Sequence, residues 1–185
     1  MQQYLKWGIR MIIDKIETFI LNIDQMTSRF ARRKLLKLLN GMNLHATIQI
    51  EWLKHQQNYL LKIHLPKQAL PYLISFLSFH HYRIYQIVPF QLLDAIKPLH
   101  QRPHEEHRFE MMIDGLDDPF IKDKVIDILN GFQSERIIYS FAKDILKVTT
   151  TAEVMSALVG TLATRNIDIY HANTAARCFH KMRIS

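Results

Sequence analysis

The chain has one cysteine, Cys178, among 185 residues. A single thiol closes no intrachain disulfide and builds no cysteine-based zinc site within one chain. Glycine and proline are sparse too, five and six, which leaves little sequence for long flexible linkers. No run approaches the roughly 18 apolar residues of a spanning helix. Met1 to Ile16 lacks the ordered charged start, apolar middle and small-residue cleavage site of a secretory signal. Catalytic signatures are also missing: there is no serine nucleophile elbow, phosphate loop or His-Glu-x-x-His spacing. The lone thiol has no evident base and orienting acid. These absences point to a cytoplasmic, non-enzymatic protein. With 48 % hydrophobic and 22 % charged residues, the chain is too apolar for disorder and rich enough to bury a core.

What is present is unevenly distributed. The net charge is +7. Residues 1–95 hold 12 Lys/Arg against 5 Asp/Glu, and residues 96–185 hold 12 against 12, so the whole excess lies in the first half.

The sequence also repeats itself. At an offset of 90, Phe19, Ile23, Asp24, Phe30, Lys34, Leu39, Asn40 and Gly41 meet Phe109, Ile113, Asp114, Phe120, Lys124, Leu129, Asn130 and Gly131. Random pairing over such a window would give about one or two identities. After a five-residue deletion, placed in the expected hairpin, Ile84-Tyr85 meets Ile169-Tyr170.

Each copy reads strand, helix, strand, strand, helix, strand. The spacing predicts first strands over 18–24 and 108–114. Helices follow, with apolar stripes Ala31, Leu35, Leu38, Leu39, Met42 and Ile121, Val125, Ile128, Leu129, Phe132. Ser28 and Asp118 are the expected N-caps, with Pro119 at the first helical position. Gly41 and Gly131 are expected to end these helices in the left-handed conformation. Strands are predicted over 45–52 with 59–64, and over 135–141 with 144–150, turning at Gln56-Gln57-Asn58 and Ala142-Lys143. Second helices carry Leu70, Leu73, Ile74, Leu77 and Val154, Leu158, Val159, Leu162, the latter with a Thr150/Glu153 capping box. Closing strands fall at 82–88 and 167–171.

Right-handed crossovers then dictate two four-stranded antiparallel sheets, each with two helices on one side. The expected class is α+β: two tandem ferredoxin-like βαββαβ sandwiches from an internal duplication. The expected organisation is an N-terminal amphipathic segment (1–17), repeat 1 (18–90), a His-rich linker (91–107), repeat 2 (108–173) and a basic tail (174–185).

Met112-Ile113-Asp114-Gly115-Leu116 and the stretch Thr151–Ile169 resemble the heavy-metal-associated domain, the module of metallochaperones and of the cytosolic tails of metal-pumping ATPases. The resemblance spans residues 108–173 and, more faintly, 18–90. It implies the βαββαβ fold and a link to metal homeostasis. It carries over no metal ligand, because Ser28 and Ala31, and Asp118 and Ile121, stand where that family's Cys-x-x-Cys pairs would be. Amino-acid-sensing domains of the ACT type share the topology, and Asp114–Pro119 loosely resembles their ligand loop. RNA-recognition motifs share it as well, but strands 59–64 and 144–150 lack their aromatic signature.

Four segments carry the candidate chemistry. Arg29, Arg32, Arg33, Lys34 and Lys37 crowd about two and a half turns of the first helix, outside its apolar stripe. Asp123 and Asp127 replace Arg33 and Lys37 in the second copy. Such a face attracts anions: membrane headgroups, an acidic protein or nucleic acid. The N-terminal segment, with Trp7, Ile9, Ile12, Ile13 and Ile16 between Lys6, Arg10 and Lys15, has the pattern of a basic amphipathic helix. Such a helix would pack on its own domain, dock on a partner or lie on a membrane surface. His100, His104 and His107 flank Glu105 and Glu106 in the linker, and Cys178 with His180 lies in the tail. These are ligand types for a transition metal, set against the plainer reading of a solvated linker and a basic end.

The expectation is therefore a binding or adaptor module without a resident cofactor, acting through its basic first helix on a protein partner or anionic membrane surface. The alternatives are histidine- and carboxylate-based metal binding, small-ligand sensing and nucleic-acid binding.

Overall fold

A computed structural model describes residues 15–42, 48–97, 99, 104–132 and 134–175. Its elements run β1 (Ile16–Ile23), α1 (Arg29–Asn40), β2 (Gln49–His55), β3 (Asn58–Pro66), α2 (Ala69–Phe79) and β4 (Ile84–Pro89). A 3-10 turn over Phe90–Ala95 follows. The order then repeats as β5 (Glu106–Ile113), α3 (Pro119–Asn130), β6 (Ile138–Ala142), β7 (Ile145–Thr151), α4 (Ala152–Thr164) and β8 (Ile169–Thr174).

Strand alternation sorts the side chains. Phe19, Leu21 and Ile23 of β1 point to the helical side, where they join Leu35, Leu39, Leu73 and Leu77 in the main core. Phe109, Met111 and Ile113 of β5 do the same with Val125, Leu129, Leu158 and Leu162. The intervening Ile20, with Leu60 and Val88, faces the other way. It is covered by Leu93 and Ile96 at and after the 3-10 turn. The turn thus caps the second face of the first half.

All eight strands form one antiparallel sheet in the order β2-β3-β1-β4-β8-β5-β7-β6. The seam is the pairing of β4 with β8, where Ile87 meets Ala172. The α2 and α4 helices pack together above it. On the opposite face, Asn22 Nδ2 donates to Gln86 Oε1 at 2.8 Å, and Gln86 Nε2 donates to Asn173 Oδ1 at 2.6 Å. All three side chains are buried, so this polar chain joins the two halves away from water.

Local geometry recurs at matching positions. Register shifts fall between Asn22 and Ile23 and between Met112 and Ile113. Positive φ occurs at Gln25 and Gly115, and at His81 and Asn166. The expected caps are found: Ser28 accepts from the Ala31 N–H at 3.4 Å, and Asp118 from the Phe120 N–H at 2.7 Å.

Several expectations need correction. Gly41 and Gly131 close their helices with right-handed φ values of −85° and −65°, not left-handed ones; a further i→i−3 bond tightens the last turn instead. Thr151, not Thr150, caps α4 through Oγ1 to the Val154 N–H. Thr150 is buried and donates to the Arg136 carbonyl. The second hairpin turns at Lys143-Asp144, with Lys143 at φ 54°. Glu106 and His107, expected in the linker, begin β5. The N-terminal segment lies outside the described residues as far as Asp14, and so does the tail from Ala176 onward. Among the described residues no helix is long and apolar enough to cross a membrane.

Candidate anion-binding groove

In α1 the core takes Leu35 and Leu39, which turns Lys34 and Lys37 outward. The helix ends beside the end of α2, where the chain reverses through His80 and His81. His81 adopts φ 61°, and three backbone hydrogen bonds hold the reversal: His80 N–H to Phe76 O, His81 N–H to Ser78 O and Tyr82 N–H to Leu77 O. The Asp24 amide donates to the Arg83 carbonyl at 2.9 Å, which ties this turn to the β1–α1 loop.

Between these parts lies a groove of about 940 Å³. Met26, Ala31, Leu38 and Phe76 give it an apolar wall, and Phe30 stands at its edge, 78 % exposed. Lys34, Lys37, His80, His81 and Arg83 supply the charge or proton-binding groups, against one carboxylate, Asp24. The His80 ring packs on Phe76 with centroids 4.5 Å apart. Among the described residues none of Lys34, Lys37 and Arg83 is held in an ion pair.

Asp24 is drawn the other way. Burial of the Tyr85 hydroxyl, followed by the nearby charge of Asp24, pushes the Tyr85 pKa up to about 12, and Asp24 Oδ1 accepts from the Gln25 N–H at 2.9 Å. Asp24 therefore lies beside Tyr85 as well as lining the groove.

The matching positions in the second half are Lys124, Asp127, Arg165, Asn166 and Asp168, by offsets of 90 in the first helix and 85 beyond it. Two cations there meet two acids. Burial, with the charge of Asp114, raises the pKa of the Asp168 carboxyl. The cationic character belongs to the first half alone.

The five cations expected from the first helix do not act together. Lys34 and Lys37 line the groove. Arg32 folds back, donating to the carbonyls of Met26 at 2.7 Å and Thr27 at 2.8 Å, with its guanidinium 3.6 Å from the Tyr59 ring centroid. It braces the β1–α1 loop. Arg29 and Arg33 are exposed and lie outside the groove. The sequence reading missed His80, His81 and Arg83. The signal was a His-His-Tyr-Arg run beyond the α2 stripe, replaced by Arg-Asn-Ile-Asp in the second copy.

Of the metal candidates, His104 sits exposed in a turn. His107 lies in β5, its ring edge-on to Phe109 at 6.1 Å. His100, Cys178 and His180 lie outside the described residues. Among the described residues no three His, Cys, Asp or Glu side chains gather where one ion could be held. Ser28 and Asp118 are occupied as helix caps.

No family model matches the chain, and no curated protein sequence does.

Proposed function

We propose that this protein is a non-enzymatic binding module made of two tandem ferredoxin-like units, 18–90 and 108–173. In this reading the scaffold is of the heavy-metal-associated kind without its cysteines. The first unit holds an anionic partner in the groove of Lys34, Lys37, His80, His81 and Arg83. The observation that carries this is the contrast between matching surfaces. Shared packing accounts for what the halves have in common, and it accounts for no concentration of cations in one of them. An excess of cations beside an apolar wall favours a ligand with a negative group and some apolar surface, such as an acidic protein segment or an anionic membrane surface.

The test is binding of the full chain to an acidic peptide and to vesicles with and without phosphatidylserine. Lys34→Glu, Lys37→Glu and Arg83→Glu together are expected to weaken binding at least tenfold, given about 1 kcal/mol per basic residue near an anionic surface. Lys124→Glu with Arg165→Glu is expected to change it little. Equal binding by the first variant and the unaltered chain would sink the proposal. The vesicle and peptide arms distinguish the two sources of negative charge.

A further inference from the structure

Among the described residues the sheet ends in two unpaired edges, β2 and β6, and they differ in chemistry. The β2 edge carries Glu51, Lys54 and His55, and Glu51 is bridged to Lys62 at 3.1 Å. Charges of this kind discourage a further strand. The β6 edge, Ile138-Tyr139-Ser140-Phe141-Ala142, has no charge, proline or bulge. Ile138 is 72 % exposed and Tyr139 38 %. An apolar, unguarded edge is an open template for pairing.

Register tells which backbone groups are available. The pair Ala142 and Ile145 closes a two-residue turn, so it exchanges hydrogen bonds. Ser140 with Lys147 and Ile138 with Thr149 follow at the same phase. The N–H and C=O groups of Tyr139 and Phe141 therefore point away from β7, toward the free side. Among the described residues no strand pairs with them there.

We infer that β6 pairs with β6 of a second copy, antiparallel about a twofold axis at Ser140. The sequence is self-complementary about that residue. Tyr139 falls opposite the partner's Phe141, with both outward-facing residues in hydrogen-bonding phase. The two rings already meet edge to face within one chain, 5.7 Å apart, so the axis brings four rings onto one face. Just outside the strand, exposed Arg136 falls opposite the partner's Asp144, once on each side of the axis. An isologous contact of this kind closes on itself and stops at a dimer. The chain already joins two edges this way at its own β4–β8 seam. The inference is independent of the anion-binding groove, which lies at the other half.

The test is the mass of the full chain by sedimentation equilibrium. The expected mass is twice the 21.9 kDa of one chain. Tyr139→Pro removes an outward N–H and spares the β7 ladder, and it is expected to give the single-chain mass. Should that variant fail to fold, Ser140→Lys, which sets two like charges at the axis, is expected to do the same. In a Cys178→Ser background, Ser140→Cys is expected to form an intermolecular disulfide on oxidation, because a non-hydrogen-bonded antiparallel pair sets its Cα atoms about 4.5 Å apart. Lys54→Cys on the other edge is expected to stay uncrosslinked. A single-chain mass for the unaltered protein overturns the inference. So does a dimer that survives both edge variants, or equal crosslinking at both edges.

Discussion

At the scale of single residues, two titratable groups, the half-buried His171 and the buried Tyr85, set how stability should depend on pH. His171 lies on β8 opposite Met112 of β5. Burial lowers its pKa from 6.5, and the charge of Glu110 opposes the shift only in part. The unfolded chain therefore takes up this proton at higher pH than the folded one. The stabilisation is full above 6.5 and is lost as pH falls below it. Denaturant unfolding between pH 7.5 and 5 should show this decline, and His171→Gln should flatten it. Tyr85 works in the opposite direction. With a folded pKa of about 12, its contribution is complete below pH 10 and is lost as pH rises through 12. Tyr85→Phe removes the titrating hydroxyl and should abolish this high-pH loss in denaturant unfolding between pH 9 and 12. A loss of equal size in the variant would mean that this hydroxyl does not cause it.

At the scale of elements, helix starts are set by side chains and can be tested one at a time. Asp118→Ala removes the acceptor for the Phe120 amide and should destabilise the protein by about 1 kcal/mol. Thermal unfolding would register that loss. Caps and stripes of this sort were legible because each is a local rule. The predicted Ser28 and Asp118 caps are found, and so are the buried positions Leu35, Leu39, Val125, Ile128 and Leu129. Element ends were less legible. The α4 cap sits at Thr151 because strand phase takes Thr150 into the interior, where it bonds to Arg136. The helix-terminating glycines stay right-handed because the chain continues the turn instead of reversing it. Half of the candidate groove was readable, as Lys34 and Lys37 on α1. Its other half, His80, His81 and Arg83, lies more than 40 residues further along, and only the tertiary approach of α1 to the end of α2 brings the two together. For Arg32, local position indicated exposure, and a ring from β3 drew it inward.

At the scale of the whole molecule, the β4–β8 seam makes one sheet of eight strands. No local pattern encodes that edge-to-edge contact. Its trace in the sequence is polar residues, Asn22, Gln86 and Asn173, in otherwise apolar buried strands. Gln86 occupies the middle of the chain of hydrogen bonds. Gln86→Leu would leave a buried donor on Asn22 unpaired and take from Asn173 Oδ1 one of its two donors, the other being the Thr174 N–H at 2.8 Å, and should cost about 2 kcal/mol. Because the seam couples both halves, the loss should appear as a shift of one cooperative transition. Two separated transitions would show that the halves unfold independently.

Charge is the other property of the whole molecule, and the proposed function rests on it. The most direct test is to titrate the isotope-labelled full chain with an acidic peptide while following backbone amides. The account predicts saturable shifts gathered at residues 34–38 and 80–83, weakening as salt is raised, with the matching residues 124–128 and 165–168 still. Shifts spread equally over both halves, or none at either, would contradict it.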